Sequence, residues 1–117
     1  MENGGAAGNS VRVVDRIEVR WEGEEKPFNR IYTNPEKMQA ILNGIRRIGQ
    51  KSSAKTDPET LKNEQYTITL IYSDESTYCY QTKSDRYIRC GQEPWQQTNP
   101  DRIAELHQLL RALPADR

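Results

Sequence analysis

Apolar and polar residues alternate in four stretches of the chain, which predicts four β-strands. The first strand covers residues 11–21, where isoleucine, valine and tryptophan alternate with arginine and glutamate. The other three follow one another at residues 66–72, 77–83 and 86–90. Because only short polar steps separate these three strands, they are predicted to form an antiparallel meander.

Two further stretches repeat their apolar residues every three or four positions, as amphipathic helices do. The helices are predicted at residues 34–49 and 99–113, and each begins where a capping side chain precedes a proline. Gly49 ends the first helix, and Pro114 ends the second. The predicted fold is therefore an α+β domain in the order β-α-β-β-β-α, with both helices packed on one face of an antiparallel sheet of about four strands.

The two predicted helices are similar in sequence. TNPEKMQAILNGIRRIG and TNPDRIAELHQLLRALP share the cap, the proline, an acidic first turn and the apolar spacing. The segments before them are also similar, because DRIEVRW with KPF parallels DRYIRC with EPW. A decayed duplication of a strand–loop–helix unit would explain this similarity, and so would independent use of the same capping rules.

The remaining segments are polar or rich in small residues. Residues 1–10 contain mostly glycine, alanine, asparagine and serine, which predicts a flexible leader. Residues 50–64 have almost no apolar content and predict a mobile linker, and residues 115–117 form a tail. Since the chain has 117 residues, of which 34% are hydrophobic, residues 11–114 are predicted to fold as a single domain with a modest core.

The charge balance of the chain disfavours polyanionic partners. Seventeen basic and seventeen acidic residues cancel, and no run of like charges forms an arm. We therefore expect no nucleic-acid partner. We also expect no membrane span, because no apolar stretch approaches the roughly 20 residues that a spanning helix needs.

The two cysteines are candidates for a disulfide. Two-residue loops at positions 74–75 and 84–85 would place Cys79 directly opposite Cys90 on neighbouring antiparallel strands. Cysteines in this arrangement can form a cross-strand bond, which an exported protein would keep oxidised. Two buried free thiols are the alternative, because cysteine is common in cores. A metal site is not expected, because the two thiolates would need further ligands and the chain has one histidine.

The same register predicts an aromatic surface on the sheet. Tyr78, Tyr80 and Tyr87 would share one face with Ile71 and Arg89. If the helices cover the other face, these side chains remain in water, and such a composition is typical of interfaces and ligand grooves. The alternative is that the tyrosines occupy exposed strands because their β-propensity is high.

No residue pattern predicts catalysis or a cofactor. His107 lies at the flank of its helical stripe, and no serine or cysteine is placed to use it as a base, so we interpret it as a boundary residue. A small enzyme would need His107 or a loop carboxylate to converge with Tyr78 or Tyr87 in a cleft. A single-stranded nucleic-acid binder would use the tyrosine face, but with a net charge of zero.

The first strand, the Thr-Asn-Pro helix start, the YTITLIYSDES hairpin and the closing amphipathic helix together span residues 11–114. In this pattern the chain resembles small domains of unknown function in bacterial exported proteins and lipoproteins, chiefly Gram-positive ones. The resemblance implies an accessory module without catalytic residues and an extracytoplasmic rather than a cytoplasmic location, although this sequence shows neither a signal peptide nor a lipidated cysteine. We therefore expect a non-catalytic domain that binds a ligand or a protein, and a homodimer is the simplest assembly.

Overall fold

The computed structural model describes residues 13–23, 27–60 and 65–117. Within these ranges the chain forms two α-helices, α1 (Pro35–Arg46) and α2 (Pro100–Ala112). It also forms seven β-strands: β1 (Val14–Glu22), β2 (Phe28–Tyr32), β3 (Lys51–Ser53), β4 (Gln65–Tyr72), β5 (Thr77–Lys83), β6 (Tyr87–Cys90) and β7 (Gln96–Thr98). A single turn of 3-10 helix lies at Pro58–Thr60.

The sheet confirms the predicted α+β class but not the predicted number of strands. The described strands form one antiparallel sheet in the order β2-β1-β4-β5-β6-β7-β3, so the expectation of about four strands is wrong. The additional strands are β2, β3 and β7. Strands β3 and β7 have three residues each and contain no apolar residue, so they give no alternating signal in the sequence.

Both helices begin at the predicted capping residues. The Asn34 side-chain oxygen accepts hydrogen bonds from the amides of Glu36 and Lys37 at 2.9 and 3.2 Å. The Asn99 side-chain oxygen accepts one from the amide of Asp101 at 2.9 Å. These bonds satisfy amides that have no partner within the helix, which fixes both helix starts. Neither helix is long and apolar enough to cross a membrane.

The core lies between the two helices and one face of the sheet, which we call the helix face. Its buried side chains alternate along the central strands and recur every three or four residues along the helices. The core residues are Ile17, Val19, Tyr32, Met38, Ile41, Ile48, Tyr66, Ile68, Leu70, Ile88, Ile103, Leu106 and Leu110. The other side of the sheet, the opposite face, carries mostly charged and polar residues on β1 and β4.

The two hairpins have loops one residue longer than predicted. In the first hairpin, Tyr72 and Ser76 close a loop of residues 73–75, and the Tyr72 amide donates to the Ser76 carbonyl at 2.9 Å. Residues 84–86 connect β5 to β6. Each loop contains one residue with a left-handed backbone, Glu75 at φ 72° and Ser84 at φ 53°. The longer first loop shifts β5 by one residue, which turns all its side chains to the other face, and the second loop restores the predicted orientation of β6.

The predicted leader and linker meet the structure only in part. The leader at residues 1–10 lies outside the described residues. Within the linker at residues 50–64, residues 51–53 form β3, and residues 61–64 lie outside the described part of the chain. The Ala54 amide donates to the Trp95 carbonyl at 3.3 Å, so this segment stays beside β7 beyond the end of β3.

Each edge of the sheet is completed by the segment that follows one of the helices. Strand β3 follows α1 and pairs with β7, the strand before α2. The tail follows α2 and lies beside β2, the strand before α1. There the Ile31 amide donates to the Arg117 carbonyl at 3.3 Å, and the Arg117 amide donates back at 3.2 Å. The domain thus consists of two halves, β1, β2, α1 and β4 in the first and β5, β6, β7 and α2 in the second. The segment that follows the helix of each half pairs with the edge strand of the other half.

Asp116 anchors the tail to the start of α1. Its carboxylate accepts the amides of Asn34 and Thr33 at 2.9 and 2.8 Å, and Lys37 Nζ lies 2.9 Å away. The hydrogen bond from the Asn34 amide, with those from Lys37 and Thr33, lowers the pKa of Asp116 to about 2. The ionised form of this carboxylate is therefore the one that holds the tail in place.

We predict that this anchor is lost in acid. A carboxylate whose pKa is lowered by folding stabilises the native state above its unfolded pKa, and this contribution disappears as the pH falls through the folded value of about 2. Acid unfolding of the wild type should therefore steepen below about pH 4, whereas Asp116→Asn should flatten this limb. Asp101→Asn, which leaves the tail unchanged, is the control. An Asp116 carboxyl that titrates at its ordinary pKa by NMR would contradict the assignment.

The two halves of the domain are structurally equivalent. Exchanging β1 with β6, β2 with β7, β4 with β5 and α1 with α2 preserves the strand order, and residues 116–117 take the place of β3. The register agrees with this exchange. Val19 pairs with Arg30 and Ile68, and Ile88 occupies the same position between β7 and β5. The similarity of the two helices in sequence therefore extends to the arrangement of the strands.

Candidate functional site

Cys79 and Cys90 are free thiols, so the predicted disulfide is wrong. The observed register pairs Cys90 with Tyr80 and Cys79 with Thr69. The Cys90 side chain consequently lies on the helix face and the Cys79 side chain on the opposite face. The sheet separates the two sulfur atoms, and both thiols are half-buried.

We predict that the two thiols cannot be joined in the native protein. After oxidant treatment of the folded protein, mass spectrometry in denaturant should find both cysteines open to alkylation. Burial raises the pKa of Cys90, with Lys51 acting in the other direction, so its alkylation in the folded state should begin at higher pH than that of an ordinary thiol. An intramolecular Cys79–Cys90 bond that leaves the melting temperature unchanged would contradict the register.

The residues of the predicted aromatic surface are divided between the two faces. Ile71, Tyr87 and Arg89 lie on the opposite face, as predicted. Tyr78 and Tyr80 lie on the helix face, because their strand is shifted by one residue. The structure therefore does not bring the five side chains together. The rings of Tyr78 and Tyr80 remain in contact with each other.

Tyr78, Tyr80 and Cys90 form a cluster on the helix face, which we call the aromatic site. The two tyrosine rings meet edge to face, with centroids 5.0 Å apart. Tyr80 and Cys90 are half-buried and pack against the core, whereas Tyr78 is 36% exposed. The Tyr78 ring covers Gly91, where an added Cβ would lie 2.9 Å from ring atom Cε1. The aromatic site thus exposes the Tyr78 ring to solvent, with Tyr80 and Cys90 half-buried beside it.

The aromatic site is electrically neutral. Burial raises the pKa of Tyr78 and of Tyr80, and the nearby Cys90 thiol adds to both effects. Arg46, at the end of α1, acts in the opposite direction on the pKa of Tyr80. Both hydroxyls and the thiol stay protonated at pH 7, so the site offers hydrogen-bond donors beside apolar ring surface.

Arg89 is occupied by a contact that the sequence did not indicate. Its guanidinium lies 3.8 Å from Glu59, and its Nε donates to the Glu93 carbonyl at 3.1 Å. The Trp95 indole also donates to Glu59, at 2.9 Å. These bonds tie the 3-10 turn to the opposite face. Glu59, Arg89 and Trp95 also line an open groove of about 590 Å³.

His107 is a core residue, so its interpretation as a boundary residue is wrong. It is 4% exposed and stacks on Tyr66, with ring centroids 4.2 Å apart. Its Nε2 lies 2.8 Å from Thr82 Oγ1, within hydrogen-bonding distance. Tyr66 also accepts a hydrogen bond from Arg111 Nε at 3.0 Å. The His107 side chain therefore lies between α2 and the sheet, where it contacts Thr82 and Tyr66.

Across the described ranges, no three histidine, cysteine, aspartate or glutamate side chains gather into a group that could hold a metal ion. Comparison with protein-family models, curated proteins and solved structures finds no significant match to this chain. The geometry of the aromatic site is therefore the main basis for a functional proposal.

Proposed function

We propose that this chain is a non-catalytic accessory domain that binds a protein partner through its aromatic site. The observation that supports the proposal is the exposed ring of Tyr78, which packs on the half-buried ring of Tyr80 on the helix face. Tyrosine supplies a large rigid ring and a polar tip, and it loses little side-chain freedom on binding. A site with these properties is better suited to bind a protein surface than to bind a charged metabolite.

The chemistry of the site supports a binding role rather than catalysis. A nucleophilic cysteine or tyrosine requires a lowered pKa or an adjacent base, and burial raises the pKa of Cys90 and Tyr80 instead. The one histidine lies in the core, stacked on Tyr66. Nucleic acid is not part of the proposal, since a net charge of zero gives no long-range attraction to phosphate. The resemblance to bacterial exported domains favours an extracytoplasmic setting.

A photo-crosslinking amino acid at position 78 tests the proposal in cells that express the chain. We expect a covalent adduct with one defined protein, which includes the possibility of a second copy of this chain. The same amino acid at position 87, on the opposite face, is the matched control and should give no such adduct. With the purified partner, Tyr78→Ser should weaken binding about tenfold or more, and Tyr87→Ser should leave it unchanged.

The melting temperatures of the serine variants show whether a loss of binding reflects unfolding. Tyr78 is the most exposed residue of the site, so Tyr78→Ser should leave the melting temperature within a few degrees of the wild type. Position 78 giving no more adduct than position 87 would overturn the proposal, and so would equal binding by both serine variants.

A further inference from the structure

The equivalence of the two halves gives the aromatic site an internal counterpart. Tyr80 of β5 pairs with Cys90 of β6. The exchange of β5 with β4 and of β6 with β1 makes Tyr66 the counterpart of Tyr80, and Tyr66 pairs with Trp21. Trp21 is therefore the counterpart of Cys90. The same position in the sheet carries an indole in one half and a thiol in the other.

The helices support this correspondence independently. Arg111 lies in the last turn of α2 and donates to the Tyr66 hydroxyl at 3.0 Å. Arg46 lies in the last turn of α1, at the same distance from its capping asparagine, and acts on the Tyr80 hydroxyl. The two helices thus carry an arginine at equivalent positions, and the arginine of α2 bonds directly to the Tyr66 hydroxyl.

The two tyrosines differ in how completely aromatic rings surround them. The Tyr66 ring has Trp21 and Phe28 at 6.4 Å and His107 at 4.2 Å, and Tyr66 is 0% exposed. Tyr80 is only half-buried, and its ring packs edge to face on Tyr78. Beside it stands the small side chain of Cys90 in place of an indole. Three aromatic rings therefore surround the tyrosine of the first half, whereas in the second half one ring, that of Tyr78, lies beside Tyr80, and this ring also lies over Gly91.

We infer that the aromatic site receives an aromatic side chain of the partner protein, of about the size of tryptophan. This side chain lies beside Tyr80 as Trp21 lies beside Tyr66. Aromatic rings favour edge-to-face and offset contacts with one another, and these contacts add to the burial of apolar area. The inference rests on the proposed function, and it specifies the chemical group that the partner contributes.

A titration with N-acetyl-L-tryptophanamide tests the inference on the wild-type protein. NMR signals of Tyr80, Cys90 and Gly91 should shift, whereas signals of Tyr87 on the opposite face should not. N-acetyl-L-leucinamide is the matched aliphatic probe and should bind about tenfold more weakly, since it lacks the ring–ring contacts.

Filling the site in the protein itself gives a second test. Cys90→Trp copies the residue of the other half, so it should fold, raise the melting temperature and abolish binding of N-acetyl-L-tryptophanamide. Cys79→Trp places the same side chain on the opposite face and should leave probe binding unchanged. Conversely, Trp21→Cys should open a space beside Tyr66 and create a second probe site, at a cost in stability.

The outcomes separate the inference from the proposed function. If a crosslinked partner is found at position 78 but the two probes bind equally or not at all, the inference fails and the binding function stands. If the tryptophan probe binds but no partner is found, the proposed function fails while the site itself remains. If Cys90→Trp does not fold, the wild-type titration decides the inference alone. Equal loss of probe binding in Cys79→Trp and Cys90→Trp would also overturn it.

Discussion

Replacing Leu110 by alanine should lower the free energy of unfolding by about 2–5 kcal/mol. Leu110 is fully buried in α2, and a truncated side chain there leaves a space that neighbouring strands can fill only in part. The backbone carbonyl of Leu110 also accepts a hydrogen bond from Arg30 at 3.0 Å, which restricts movement of the helix towards the cavity. Denaturant unfolding of the wild type and the variant measures the difference.

Exposed and half-buried positions provide the controls for this prediction. Gln108→Ala lies on the exposed side of the same helix and should change stability by no more than about 0.5 kcal/mol. In α1, Ile41 is fully buried and Ile45 only half-buried, so Ile41→Ala should cost more than Ile45→Ala. Equal losses at Leu110 and Gln108 would mean that the assigned orientation of α2 is wrong.

The contact between His107 and Thr82 should give the second large effect. Either His107→Leu or Thr82→Val removes one side of a buried hydrogen bond, and the other side loses that bond, at a cost of about 1–3 kcal/mol. The double variant removes both polar groups and should recover much of this loss. The equivalent position in α1 is Leu42, which shows that the fold accepts leucine there.

A double-mutant cycle measured by denaturant unfolding isolates the contact. We expect a coupling energy of about 1–3 kcal/mol between positions 82 and 107. The matched pair Thr67→Val and His107→Leu, in which Thr67 lies on the opposite face, should be additive. Coupling that is equally small in both cycles would show that the Thr82 hydroxyl does not need His107.

The helices could be predicted because their signals are local. Asn34-Pro35 and Asn99-Pro100 each combine a capping side chain with a proline suited to the first helical turn, and an apolar stripe follows each of them. Asp57-Pro58 has the same start without an apolar stripe, and it forms only a 3-10 turn. The apolar residues that recur every three or four positions are the ones that face the core, and Ile41 and Leu110 are both fully buried. Local capping rules and helical periodicity therefore determine these elements.

The strand register could not be predicted, because it depends on loop conformation. Glu75 and Ser84 adopt left-handed backbones that most side chains disfavour, and neither position is a glycine or an asparagine. The sequence therefore gave no sign of the longer loops. The two errors cancel at β6, which is why Tyr87 and Arg89 were placed on the correct face while Tyr78 and Tyr80 were not.

The candidate site was predicted in its residue types but not in its arrangement. Tyr80 packs against the core beside Cys90 instead of lying in water, whereas Tyr78 is exposed, and both tyrosines lie on the helix face, away from Tyr87. The sequence alignment of DRIEVRW with DRYIRC equates Ile17 with Tyr87, which lie on different faces. The structural correspondence is shifted by one residue and pairs Trp21 with Cys90, and only the register reveals it.

The exchange of segments across the sheet edges has a consequence for how the chain folds. Strands β4, β5 and β6 are joined by short loops and can form early, because closing a short loop costs little entropy. By contrast, the pairing of β3 with β7, of β1 with β4 and of the tail with Ile31 joins distant parts of the sequence. Contacts of this kind slow folding, because the entropy of closing a long loop is lost before the contact forms. Until the tail pairs with Ile31, the β2 edge is open to strands of other molecules, and the docking of residues 116–117 closes it.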